Sequence, residues 1–203
     1  MTILRTVEEL ESIYGRPKGG AVFKEIPFLN AHYRAFVEAS PFVVLASAGP
    51  NGLDCSPKGD APGFVRVLDE RKLAIPDRLG NNRIDNLRNI VVDPRVALLF
   101  MVPGVGETLR VNGRAVISTD AELLTSFAVD GKAPRTVIVV SVEAAYVHCS
   151  KAFMRSKLWD ASRHLERAKL PSTGEMLALL SANAIDAAAY DREAPEKLKA
   201  ALY

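Results

Sequence analysis

Ser56-Pro57-Lys58-Gly59-Asp60, Ile75-Pro76-Asp77-Arg78 and Gly80-Asn81-Asn82-Arg83 follow one another in a stretch that closes with Asn86-Leu87-Arg88-Asn89 and Asp93-Pro94-Arg95-Val96. A glycine turn that leaves a strand and opens a helix, with amides and an arginine in its first turn, offers unpaired backbone N–H groups and positive charge to an anion. The stretch therefore reads as a phosphate site. Apolar strands on either side would wall a flat ring next to it, so a phosphorylated aromatic cofactor is expected ahead of free phosphate.

Working outward, residues 65–68 and 72–76 form a hairpin joined by Asp69-Glu70-Arg71, and a helix is expected over 82–92. Upstream, the β-branched and apolar run 42–48 is a strand, which Gly49-Pro50-Asn51-Gly52 turns into a second strand over 53–56. Downstream, 96–102 is a continuous apolar run between prolines and predicts a strand buried on both faces. Residues 108–118 alternate, with Leu109, Val111 and the Ala115-Val116-Ile117 group facing a core. The valine-rich run 136–147 is the longest strand and should be central.

Helical signals flank these strands. Residues 6–14 form a short acidic helix stopped by the glycines and proline of 15–20, and a loop follows; 29–39 repeats apolar residues at helical spacing up to Pro41. A small helix is expected at 120–128. Beyond Lys151 the chain is helical and alanine-rich around 174–182 and 184–202, punctuated by Pro171 and Pro195. The connections are too short for repeated βαβ crossovers, so the strands are mostly antiparallel and curl into a closed or partly closed barrel. The fold class is mainly β with peripheral helices, α+β. We expect one domain, 1–203, with N-terminal helices at about 6–39 and a helical C-terminal extension at about 150–203.

Composition narrows the function. Hydrophobic residues make up 48% of the chain and charged residues 25%, an ordinary globular balance. A net charge of +2 with mixed signs gives no basic stripe to track a nucleic acid. Glu8, Glu9 and Glu11 interrupt any apolar leader, and no run approaches a membrane span, so no membrane contact and a cytoplasmic location are expected. Cys55 and Cys149 are read as free thiols, and His148-Cys149 lacks the second ligand pair of a zinc site, so no metal is expected. Neither a Ser-His-Asp order nor Gly-x-Gly-x-x-Gly after a strand is present, which argues against hydrolysis and a Rossmann dinucleotide site.

Taken in order, the motifs above, with Gly63-Phe64-Val65-Arg66-Val67 and Leu109-Arg110-Val111-Asn112-Gly113-Arg114-Ala115, resemble the pyridoxamine 5'-phosphate oxidase-related, FMN-binding split-barrel family over about 40–160. The resemblance implies an FMN-binding split β-barrel, FMN as cofactor, and a homodimer with FMN at the subunit interface. It also implies an FMN-dependent oxidoreductase, an oxidase or a reductase, acting on a small-molecule redox substrate. The alternatives are a non-catalytic FMN-binding protein, a flavin store or redox sensor, and a heme-binding protein on the same fold that would use His32, His148 or His164. The Arg-Leu-His-like segment of vitamin B6 oxidation is missing near the end of the chain.

By themselves, Asn82 and Arg83 read as a cap and a solvated arginine; their place in the family's phosphate turn makes them phosphate ligands, with Asn81 beside them. Lys58 is either a turn lysine or a cofactor ligand, in a loop where Pro57 fixes the approach and Gly59 permits close contact. Ser56 would bond the ring or the phosphate arm. Ile75, Pro76 and Asp77 would lie along the ring edge, unless Ile75 is simply core. Arg66 points away from the face of Val65 and Val67, towards phosphate or solvent. The resemblance places Thr108, at the position of a family side-chain amide, and Arg110 near the flavin at the dimer interface. Trp159, in Lys151-x-x-x-Arg155-Ser156-x-x-Trp159, either packs or stacks near the ring of a partner subunit. No residue is assigned a catalytic role.

Overall fold

Valine-rich alternation makes β7 (Val137–His148) the spine of the sheet, with β6 (Thr108–Ser118) on one side and β4 (Lys72–Pro76) on the other. The computed structural model describes residues 3–203. Its remaining strands are β1 (Phe42–Gly49), β2 (Gly52–Gly59), β3 (Arg66–Asp69) and β5 (Arg95–Met101). All pairings are antiparallel, in the order β2-β1-β5-β6-β7-β4-β3. The end strands β2 and β3 do not pair, so the sheet is a split barrel rather than a closed one.

Alternate side chains fill its interior. Val43, Leu45, Leu98, Phe100, Leu109, Val111, Leu73, Ile75, Ile138 and Val140 are all buried there, each contributing about 1.5–3 kcal/mol by leaving water. Gly113 sits at the irregularity between Asn112 and Gly113, where β6 passes so close to the Ser141 carbonyl that a Cβ would overlap it. The extra residue there is Glu143 on β7, so β6 keeps its alternation: Ala115 stays inside with Leu109 and Val111, and Val116 faces outward at 62% exposure, against the expected core position.

The helices are α1 (Val7–Tyr14), α2 (Gly20–Phe23), α3 (Ala31–Ala39), α4 (Asp85–Val92), α5 (Ala121–Ser126), α6 (Lys151–Ser156), α7 (Thr173–Leu180) and α8 (Ala187–Ala200). Their starts follow capping chemistry. Thr6 and Ser172 form capping boxes, and Asn30, Asp120 and Asp186 accept backbone N–H bonds. The single turn α2 replaces part of the expected loop, and Pro195 lies inside α8 instead of ending it.

Two corrections bear on the site. Pro57-Lys58-Gly59 is the end of strand β2, not a loop; β2 is an edge strand, where a proline lacking its N–H is tolerated. The helix after the glycine turn starts at Asp85, three residues later than expected, because Asn82 and Ile84 take positive φ of 61° and 53° and interrupt helical geometry. A third correction concerns β5, whose burial alternates: Val96, Leu98 and Phe100 face the core, while Ala97, Leu99 and Met101 lie half-buried on the outer face. Among the described residues no helix is long and apolar enough to cross a membrane.

Candidate functional site

Where the two halves of the split barrel face each other, side chains do what backbone pairing does not. Ser56 and Lys58 alternate onto the same half-buried face of β2, and Asp77 follows the last residue of β4, its N–H donating to the Thr136 carbonyl at 3.0 Å. Lys58 Nζ donates to Asp77 Oδ1 at 2.7 Å, with both side chains about four-fifths buried. Just beyond the ends of the two strands, Arg78 Nε donates to Asp60 Oδ2 at 2.7 Å, and Arg78 Nη1 to the Phe127 carbonyl at 2.8 Å. The Tyr203 hydroxyl donates to Asp60 Oδ1 at 2.6 Å. Burial pushes the Asp60 carboxyl up, but the Tyr203 hydroxyl, the Ala61 N–H and Arg78 together hold it below its ordinary value.

These pairs border a cleft of about 620 Å³ whose other wall is the turn from Leu79 to Asn86. The turn is strained. Asn82 tolerates the left-handed region, but a β-branched residue such as Ile84 rarely enters it, at a cost of about 1–3 kcal/mol. Within the turn the Arg83 N–H donates to Asn81 Oδ1 at 3.1 Å. The Arg83 guanidinium, 74% exposed, pairs with Asp85 at 2.8 Å. Ile84 is the N-cap of α4 and provides no side-chain acceptor, so the first N–H donors of α4 are left for another group.

A buried polar network fixes α4, and with it the turn. Asn86 Nδ2 and Asn89 Nδ2 both donate to Ser47 Oγ, at 2.7 and 3.1 Å, and Asn89 also donates to Asp54 Oδ2 at 2.6 Å. Gly49 makes room for this, since a Cβ there would overlap the Asn89 amide. The Asn86-x-x-Asn89 spacing puts both amides on one helix face, but only the fold shows that Ser47 is their shared acceptor.

Of the residues singled out from the sequence, Ser56, Lys58, Pro76, Asp77, Asn81, Asn82 and Arg83 line this one cleft. The others stand elsewhere. Ile75 is fully buried in the barrel core. Arg66 lies 4.1 Å from the centre of the Phe127 ring and donates to the Ser126 carbonyl. Thr108 and Arg110 occupy the start of β6, opposite His148 and Tyr146. Trp159 donates from Nε1 to the Val105 carbonyl at 2.8 Å and stacks on Phe153, with ring centres 5.3 Å apart. Sequence reading missed Arg135 and Arg78, which also line the cleft. Arg135 directly precedes the longest apolar strand, and no motif marks it.

Chemically the cleft combines four cations, Lys58, Arg78, Arg83 and Arg135, with Asp77 and Asp85, and its volume is that of an ordinary small-molecule site. Among the described residues no group of three or more His, Cys, Asp or Glu side chains is placed to hold a metal ion. With Phe64, Pro76 and Leu87 also in the lining, the arrangement suits an anionic ligand with a partly apolar body.

A family model for pyridoxamine 5'-phosphate oxidase matches residues 29–149, more than half of the chain. No curated protein matches. Among solved structures, HupZ from Group A Streptococcus is 15% identical, with a TM-score of 0.47 over 57% of this chain and 90% of that one. A candidate pyridoxamine 5'-phosphate oxidase from Lactobacillus delbrueckii is 21% identical, with a TM-score of 0.46 over 60% and 95%. An FMN-binding protein from Syntrophomonas wolfei is 8% identical, with a TM-score of 0.44 over 57% and 83%. At TM-scores below 0.5 these likenesses carry no functional argument; the family rests on the 29–149 match.

Proposed function

The chain belongs to the pyridoxamine 5'-phosphate oxidase family, and from that premise we propose that it is an FMN-dependent oxidoreductase whose cofactor sits in the cleft between β2, the end of β4 and the turn before α4. The observation that carries this reading is the convergence of Ser56, Lys58, Pro76, Asp77, Asn81, Asn82 and Arg83 on one cleft of about 620 Å³. The uncapped start of α4 and the strained Asn82 and Ile84 support it, because strain persists where a site needs its backbone aimed.

In this reading Asn81, Asn82, Arg83 and the N–H groups of the turn hold the phosphate. The guanidinium of Arg83 turns from Asp85 to do so, which its exposure permits. Lys58, fixed by Asp77, and Ser56 meet the polar edge of the ring, and Pro76 packs against it. When bound, FMN supplies the hydride chemistry, so the chain's own residues need only bind, orient and exclude water. The proposal leaves the substrate open and does not extend to vitamin B6 oxidation, whose Arg-Leu-His-like segment is not found in this sequence.

We further propose that residues 1–203 act as one domain and pair as a homodimer. The half-buried outer row Ala97, Leu99 and Met101 of β5 supports pairing. Thr108, Arg110 and Trp159, which stand away from the cleft of their own subunit, are assigned to the wall of the partner's. Arg66 and Ile75 act from behind the cleft, through β3 and β4.

The test is the visible spectrum of the purified protein, followed by titration with FMN and with riboflavin. We expect FMN to bind at one per subunit and riboflavin much more weakly; equal affinities would remove the phosphate site. Oxidation of a reduced nicotinamide by the loaded protein separates an enzyme from a flavin store, and a Soret band on titration with heme would favour the heme alternative.

A further inference from the structure

The helical extension that follows β7 ends on the Arg78–Asp60 pair at the border of the cleft. Of α7 only Gly174 is buried, and of α8 no residue is. The two helices pack chiefly on each other: the Gly174 N–H donates to Asp191 Oδ1 at 2.8 Å, and a Cβ on Gly174 would overlap the Ala187 carbonyl. Leu179 and Leu180 on α7 and Leu198 on α8 stay exposed. The extension therefore gains little from apolar burial against the sheet, and its place beside the cleft depends on a few polar contacts. Lys132 Nζ donates to the backbone oxygen of Tyr203 at 3.0 Å. The Tyr203 hydroxyl donates to Asp60 Oδ1 at 2.6 Å, and the centre of the Tyr203 ring lies 5.4 Å from the Arg78 guanidinium.

What Tyr203 touches is a cation already fixed in place. The Arg78 side chain is 17% exposed and that of Asp60 5%, whereas Arg83 is 74% exposed. Asp60 holds Nε and the Phe127 carbonyl holds Nη1, which leaves Nη2 without a partner among the described residues. An arginine held in this way loses little side-chain freedom when it takes an anion, while Arg83 has first to leave Asp85. Arg78 lines the cleft and directly precedes the turn whose groups are assigned to the phosphate. The carboxylate that fixes it is itself held: Asp60 Oδ1 accepts from Tyr203 and from the Ala61 N–H, and Oδ2 accepts from Arg78.

We propose that residues 150–203 act as a strap on the rim of the cofactor cleft, with Tyr203 the positioning residue that fixes Arg78, through Asp60, as a second arginine for the cofactor's phosphate. The inference rests on the FMN reading above and adds to it the segment that sets the affinity. The Tyr203 hydroxyl steadies Asp60, and so keeps the Arg78 fork in one place. Its ring covers the pair, and a charge kept from water acts more strongly on a nearby anion. Coupling of this kind is reciprocal: a docked strap favours the phosphate, and a bound phosphate favours the docked strap by the same factor. Cofactor affinity is thus tuned by helices that lie outside the barrel, and whatever loosens α7 and α8 lowers it.

The experiment compares the affinities of FMN and riboflavin, by flavin fluorescence, in the full chain and in Tyr203→Phe, Tyr203→Ala and Arg78→Lys. Arg78→Lys keeps a positive charge opposite Asp60, so the variant is not left with a buried unpaired carboxylate. FMN affinity should fall about threefold in Tyr203→Phe and about tenfold in Tyr203→Ala and Arg78→Lys, with riboflavin affinity unchanged. A merely structural loss would weaken both flavins alike. In the reciprocal arm, FMN but not riboflavin should slow trypsin cleavage at Arg192, Lys197 and Lys199 of α8, and Tyr203→Ala should abolish that protection. The proposal is overturned if the advantage of FMN over riboflavin survives in Tyr203→Ala or in Arg78→Lys, if both affinities fall together, or if FMN gives α8 no protection. No preference for FMN in the unaltered chain would remove the cofactor reading itself, and this inference with it.

Discussion

The cleft and the patch that Lys24 forms with Arg110 and Tyr146, at the start of β6 and the end of β7, are both rich in cations, but they are built on opposite electrostatic plans. In the cleft Lys58 faces Asp77, Arg78 faces Asp60 and Arg83 faces Asp85, all within 2.8 Å. At the patch Lys24 and Arg110 share the Tyr146 ring and, among the described residues, have no carboxylate within ion-pair distance. Lys58–Asp77 and Arg78–Asp60 do structural work, since they join two parts of a sheet that backbone bonding leaves open, whereas Arg83–Asp85 is local to the turn. The patch sits on continuous β6–β7 ladder and needs no such help. Stability should therefore respond strongly to charge removal at Lys58 or Arg78 and hardly at all at Arg83 or at the patch.

The largest effect is expected at Lys58. Lys58→Met leaves Asp77 mostly buried and unpaired, at a cost of about 2–4 kcal/mol in chemical denaturation. Lys58→Met combined with Asp77→Leu should recover most of that loss. If the double variant is as unstable as the single, the pair is not what joins the two halves.

Next comes Arg83, whose role is binding rather than structure. Arg83→Ala should weaken FMN binding by about 1.5–3 kcal/mol, measured by calorimetry, and leave thermal stability unchanged because the side chain is exposed. Arg66→Ala serves as the counterpart: its guanidinium lies on Phe127, behind the cleft, and its removal should weaken FMN binding less than that of Arg83.

Removing the shared acceptor of α4 should have a smaller effect. Ser47→Ala strands two buried amides and is expected to cost about 1–3 kcal/mol. Because the turn is carried on α4, FMN affinity should fall with it. A variant that loses stability but keeps full affinity would show that the turn holds its shape without the helix.

The pH dependence separates the regions further. The folded Asp60 carboxyl lies below its unfolded value, so its contribution is present above the unfolded pKa and is lost as pH falls through the folded one. Tyr203→Phe removes one of its stabilising bonds and should shrink that acid-side loss, read from unfolding midpoints below about pH 4. Smallest of all, Arg110→Ala, which removes one partly buried bond to the Tyr146 hydroxyl, should cost no more than about 1 kcal/mol. A larger loss would mean that the patch, too, holds the sheet together.

The run of amino acids by itself determined the strands, their antiparallel character and the order of the cleft motifs, because alternation, turn residues and caps act within a few residues of one another. Phe42–Gly49, Val137–His148 and the starts of α1, α3 and α7 follow from such local rules. Tertiary structure alone decided what depends on partners distant in the chain. Lys58 meets Asp77, Ser47 serves Asn86 and Asn89, and Tyr203 reaches Asp60, since the barrel curls β2 towards the end of β4. It also decided which arginines share a place. Arg66, Arg83, Arg110 and Arg135 look alike in the sequence, but an arginine's role is set by the charge and burial around its guanidinium. Those are properties of neighbours that only the folded chain brings together.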